Sequence, residues 1–153
     1  LEKLQEKGYL KKENYHHRGI GLMGDQGKTT IPLLGVIPAG GPIEPIRNPE
    51  PIEVPRSMLS RGANHYALKV SGTSMIEEGI SDGDIVIVHE QATVDNGEKA
   101  IAYLPDKDAV TLKKIYRYKN HVKLVPANKT MKPFYEKNVE IQGKVIGVLR
   151  KES

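Results

Sequence analysis

A mainly β domain of several antiparallel strands is what this sequence predicts, and three observations carry that expectation. From Tyr66 onward, short β-branched and aliphatic runs follow one another, each closed by a Gly, Pro, Asn or Asp turn signal. Ten prolines and 15 glycines make the chain turn-rich, and with no tryptophan and one phenylalanine its core must be aliphatic. Helical periodicity is confined to the first residues and to short turns. The 153 residues suffice for one domain with a real core and a small appendage.

Taken in order, Leu1 to Lys7 carries apolar residues at 1 and 4 with charges between, the pattern of a closing amphipathic helix, and Gly8 supplies the stop. Tyr9–Lys12 and Arg18–Leu22 read as short strands around 13–17. A helix followed by a hairpin with Lys11, Lys12, His16, His17 and Arg18 near its tip suits the wing of a winged-helix DNA binder; an ordinary basic hairpin fits the same residues. A chain that begins inside a helix is expected to lack upstream sequence, including a recognition helix. Met23 to Thr30 has no hydrophobic period and reads as linker. Gly27-Lys28-Thr29 is not a phosphate-binding loop, because the required first glycine falls on Leu22.

Ile31 to Pro42 is extended and apolar, and its prolines predict an edge strand or extended loop. Pro38 holds Ile37 extended, the shape a protease cleft accepts, and Ala39–Gly40 is sterically the most approachable peptide bond there. Residues 43–55 predict loops with short strands, and Met58 to Arg61 a helical turn. Strands are expected at Tyr66–Val70, Asp84–His89, Lys99–Leu104, Ala109–Tyr116 and His121–Pro126, with 139–149 as one long or two short strands. Asn96-Gly97 predicts a hairpin turn leading into Lys99.

Composition mainly excludes. Cysteine is absent, so no disulfide, thiol nucleophile or cysteine metal site can form, and neither cofactor nor metal is expected. No apolar run approaches the roughly 20 residues of a membrane span, and no signal peptide is visible. A cytoplasmic protein without a membrane partner is therefore expected. The net charge of +4 permits nucleic-acid contact without arguing for it.

The chemistry centres on Val70-Ser71-Gly72-Thr73-Ser74-Met75, a strand end, a tight turn and a short helical segment from Ser74. Serine at such a turn sits outside the β ladder, where backbone N–H groups are free to face a developing oxyanion; turn and cap roles account for the same residues. A serine hydroxyl needs a base, and none of the five histidines has the context of a triad member. A lysine whose pKa is lowered by burial can substitute. Lys113 and Lys114 are the candidates. Strand alternation puts Lys114 with Val110, Leu112 and Tyr116, and Lys113 with Thr111 and Ile115, without saying which face is buried. Paired lysines are more often a solvated edge.

Ser71-Gly72-Thr73-Ser74-Met75 with Gly79 and Asp82-Gly83-Asp84, then Val110-Thr111-Leu112-Lys113, with Ala39-Gly40 upstream, resembles the LexA family of self-cleaving repressors. The three motifs stand in the family's order and gaps, and the likeness covers nearly the whole chain. It implies a LexA-like peptidase β-domain preceded by a remnant of a winged helix-turn-helix domain: 1–22 as last helix and wing, 23–34 as linker, 35–153 as peptidase and dimerisation domain. It implies Ser74 as nucleophile, Lys113 as general base, backbone N–H groups of Thr73 and Ser74 for the oxyanion, and Ala39–Gly40 as the scissile bond. Thr73 stands where the family commonly has methionine, a change expected to alter packing more than chemistry. Further implications are an SOS-response repressor, operator DNA for the full-length protein, a RecA–single-stranded DNA filament as stimulator of cleavage, and a homodimer. The competing readings are a cleavage-inactive dimerisation module of a transcription regulator, a phage repressor, and a UmuD-like polymerase accessory subunit.

Overall fold

The computed structural model describes residues 27–38, 43–46 and 50–150. The expected helix and wing of 1–22, with Lys11, Lys12, His16, His17 and Arg18, and the Ala39–Gly40 bond lie outside these residues. The described chain is mainly β, as the turn-rich composition predicts. Its strands are β1 (Lys28–Ile37), β2 (Glu44–Pro45), β3 (Pro51–Pro55), β4 (His65–Val70), β5 (Ile85–His89), β6 (Lys99–Leu104), β7 (Ala109–Arg117), β8 (Val122–Val125), β9 (Phe134–Glu136) and β10 (Glu140–Leu149). They form one open sheet in the order β2-β1-β4-β5-β10-β6-β7-β8-β9, with β3 paired to β1. Among the described residues helix is limited to 3-10 turns at Arg56–Met58, slightly before the turn expected at Met58–Arg61, and at Ile76–Glu78.

Several expectations change on contact with the structure. β1 begins at Lys28, inside the expected 23–34 linker, because Lys28–Pro32 finds an antiparallel partner in Pro51–Pro55. Nor is β1 an edge: Leu33–Ile37 runs parallel to β4 while Gly35 and Val36 pair with β2. The prolines are accommodated because Pro32 falls where β1 leaves β3, just before the register shift at Leu33/Gly35. The β1–β4 pair is thus a parallel exception in an otherwise antiparallel sheet. Asn96-Gly97 does not make a β5–β6 hairpin, since β10 lies between those strands. It closes over β7 instead: Gly97 N–H donates to the Ile115 carbonyl at 2.8 Å, and Arg117 N–H to Asn96 Oδ1 at 2.9 Å. Of the expected 139–149, Glu140–Leu149 form one strand, β10, which shifts register at Ile141/Gly143 and at Val145/Gly147. β9 has no counterpart among the expected strands.

Three apolar clusters fill the fold, and the largest holds Leu34, Ile37, Leu68, Met75, Ile80 and Leu112. Met75 (2 % exposed) and Leu112 (3 % exposed) pin the chain on either side of the site to that core. Burying a side chain of this size stabilises by about 2 kcal/mol. At Gly143, β10 packs tightly on β5: a Cβ there would lie 2.5 Å from Val88 Cγ1 and 2.7 Å from the His89 carbonyl oxygen. The carbonyl cannot yield without breaking the ladder. Gly143→Ala is therefore expected to destabilise by roughly 3 kcal/mol or more, read as a fall in the thermal midpoint.

Candidate active site

The turn after β4 is held from several sides. Val70 N–H donates to the Asp84 carbonyl at 2.8 Å, and Gly83 N–H to the Val70 carbonyl at 2.7 Å. Gly72 has φ +107°, a left-handed geometry that disfavours a side chain, and its N–H donates to Asp82 Oδ1 at 2.7 Å. Asp84 is buried. It accepts from Ser81 N–H at 2.7 Å and from Arg150 Nε and Nη2 at 2.9 and 2.7 Å. The Arg150 hydrogen bonds hold the Asp84 carboxyl below its ordinary range. Asp82-Gly83-Asp84, legible in sequence as a sharp turn, is thus the brace of the serine turn.

Carbonyls of that turn point into the protein. Thr73 O accepts from Ile76 N–H at 3.2 Å and from Asn128 Nδ2 at 2.9 Å. Ser74 O accepts from Ala127 N–H at 2.7 Å, and Ala127 O accepts from Glu77 N–H at 2.7 Å. Asn128 is itself fixed, its Oδ1 accepting from the Thr130 N–H at 2.9 Å and hydroxyl at 2.7 Å. Among the described residues the N–H groups of Thr73 and Ser74 have no acceptor. With their carbonyls engaged inward, these two donors are available to an incoming oxygen.

Lys113 Nζ lies 3.2 Å from Ser74 Oγ and 2.7 Å from Thr111 Oγ1. Burial lowers its pKa from the ordinary 10.5 to about 8. Lys114 takes the other course: its Nζ donates to Glu78 Oε2 at 3.1 Å, and Glu78 Oε1 accepts from Lys99 at 3.3 Å. The two lysines hold the Glu78 carboxyl below its ordinary range, Lys114 more than Lys99. The choice that strand alternation left open is visible here as two environments, one part-buried beside a hydroxyl, the other paired with a carboxylate. His65 and His89 meet edge to face at 5.3 Å between ring centres, where they face each other across the β4–β5 ladder, and His65 Nε2 accepts from Ser60 N–H. Neither is hydrogen-bonded to Ser74 among the described residues.

Thr111 was within reach of the sequence, since two residues before Lys113 on a strand is the same face. Asn128 was not, because it comes from the loop after β8 and no local pattern ties it to residue 73. Among the described residues no cluster of metal-ligating side chains occurs, and no helix is long and apolar enough to cross a membrane.

Residues 32–146 match the Peptidase S24-like family. The chain belongs to that family. Its relatives include LexA repressors of Moorella thermoacetica, 41% identical, and Bacillus mycoides, 38% identical, each match covering 98% of this chain and 76% of the relative. The LexA repressor of Pseudothermotoga lettingae is 42% identical, with the same coverage. This S24-family chain is accordingly of the LexA repressor and serine-type self-cleaving peptidase class, on the mainly β fold expected for it.

Proposed function

We propose that this chain cleaves its own Ala39–Gly40 bond, with Ser74 as nucleophile and Lys113 as general base. One observation carries the reading: the part-buried Lys113 amine stands 3.2 Å from the Ser74 hydroxyl, where desolvation lowers its pKa to about 8. An amine near neutrality at the operating pH is what general-base chemistry needs. In its neutral form Lys113 keeps an N–H on Thr111 Oγ1 and turns its lone pair to Ser74, so that the Ser74 O–H donates across the same 3.2 Å. Ser74 Oγ then attacks the Ala39 carbonyl carbon, and its proton passes to Lys113 Nζ. The Thr73 and Ser74 N–H groups receive the oxyanion. Collapse breaks the Ala39–Gly40 bond, the Gly40 nitrogen taking the proton from Lys113. Water, deprotonated by the same amine, then hydrolyses the Ala39 ester and frees Ser74.

Delivery of the bond is supported by β1. Ile37 pairs with Val70, and Ser71 N–H donates to the Ile37 carbonyl at 3.0 Å, so the strand running into Pro38 lies against the strand that ends in the serine turn. Attack within one chain replaces a bimolecular encounter. The same reading extends to an SOS repressor whose cleavage is stimulated by a RecA–single-stranded DNA filament. It includes operator DNA as the full-length partner, a homodimer, the cytoplasm as its place, and residues 1–22 as the end of a winged-helix domain.

The test is intact mass after incubation at neutral and alkaline pH, with Ser74→Ala alongside. The expected products are 1–39 and 40–153, absent from the variant. Cleavage at another bond, or in Ser74→Ala, overturns the assignment; an uncut chain at high pH and with the filament favours a cleavage-inactive dimerisation module. Asn128→Ala, which releases the Thr73 carbonyl, is expected to slow cleavage about tenfold with little change in the thermal midpoint.

A further inference from the structure

At the end of the sheet, β7, β8 and β9 form an edge with two dissimilar faces. Cross-strand register puts Ile115, Leu124 and Phe134 in one row and Tyr116, Lys123 and Tyr135 in the next. The first row belongs to an apolar cluster, so the second faces outward. Tyr118 and Tyr135 are 51% and 55% exposed, although tyrosine normally covers much of its ring. His121 lies between them, stacked on Tyr118 at 5.1 Å and edge-on to Tyr135 at 5.4 Å, which holds the rings as a set rather than as separate mobile side chains.

The stretch of sequence that carries this set is cationic. Residues 116–138 hold six Lys or Arg and one acid, Glu136, which leaves 17 of the 23 cations and 18 of the 19 acids for the remainder of the chain. Glu136 is buried and paired with Lys107 at 2.6 Å, a cation from outside the stretch. None of the six side chains forms an ion pair among the described residues. A cationic edge whose lysines at 119 and 123 form no ion pair among the described residues, with ordered rings between them, fits a polyanion that also carries flat apolar groups.

We propose that the outer face of the β7–β8–β9 edge binds single-stranded nucleic acid, bases stacking on Tyr118 and Tyr135 while Lys119 and Lys123 meet phosphates. The proposal is independent of the self-cleavage reading. Its test is fluorescence anisotropy of a labelled oligothymidylate of about 20 nucleotides, titrated with the full chain carrying Ser74→Ala so that it stays whole. Tyr118→Ala with Tyr135→Ala is expected to weaken binding at least about tenfold. Tyr118→Leu with Tyr135→Leu, which keeps apolar bulk but no ring, is expected to do the same with an unchanged thermal midpoint. Lys119→Gln with Lys123→Gln is expected to weaken binding and flatten its salt dependence. An abasic strand of equal length should bind far more weakly. Absence of binding at low salt, equal binding of the abasic strand, or binding that survives both ring variants overturns the proposal; the last result would place the contact elsewhere in the chain.

Discussion

Lys113→Ala is expected to abolish self-cleavage, lowering the rate at least about 1,000-fold at neutral and alkaline pH, whereas Lys114→Ala stays within about threefold of the parent. The two residues are adjacent, equally long and equally basic in isolation, so the difference must come from their surroundings. Lys113 Nζ reaches Ser74 Oγ at 3.2 Å and has no carboxylate partner among the described residues; Lys114 spends its charge on Glu78 at 3.1 Å. Lys114 Nζ is held on the Glu78 carboxylate and makes no hydrogen bond to the Ser74 hydroxyl among the described residues. Lys113→Arg separates charge from basicity: it keeps a cation near Ser74 but never offers a free base. It is expected to be as inactive as alanine. Gel or mass quantification of the cut fraction over time reads all three, and a Lys113→Ala chain that cuts while Lys114→Ala does not would invert the assignment.

The rate should climb steeply with pH. With a Lys113 pKa of about 8, the neutral fraction rises about 50-fold between pH 6 and pH 8 and levels off above, so the cleavage rate should follow the same curve. Stability runs in the same direction. The unfolded lysine titrates near 10.5 and the folded one near 8, so between those values the unfolded chain binds more protons and stability rises with pH. Below about pH 8 both forms are protonated and the penalty for the buried charge is constant. It amounts to roughly 3 kcal/mol. Lys113→Met removes that penalty and is expected to raise the thermal midpoint at pH 7 while removing activity. A variant that is inert because it is misfolded would lower the midpoint instead.

How much of this was legible in the residues depended on whether the deciding contact was local. The runs 85–88 and 109–116 declare strands by their branched side chains, and both are strands. Asn96-Gly97 declares a turn, and Gly97 has φ +89°, but its partner strand was fixed by β10 inserting between β5 and β6, a pairing across many residues that no window contains. β9 has three residues after a proline and is held by pairing with β8, so its own sequence carries little strand signal. At the site, the order of the motifs made Ser74 and Lys113 stand out, and alternation tied Thr111 to Lys113. Alternation is relative, however. Which face of β7 is dry depends on the chain packed over it, and that is why Lys113 and Lys114 separate only in three dimensions. Asn128, Asp84 and Arg150 brace the turn through distant contacts and carry no local mark.

The central claim is that burial leaves Lys113 as a free base facing Ser74, and titration of its side chain measures this directly. In the Ser74→Ala chain, labelled at lysine and followed by NMR at the carbon next to Nζ, one lysine absent from the Lys113→Met spectrum should titrate near 8. That midpoint should match the pH dependence of cleavage in the parent. A Lys113 midpoint near 10.5, in a chain that cuts itself at pH 7, would contradict the account and require another base for Ser74.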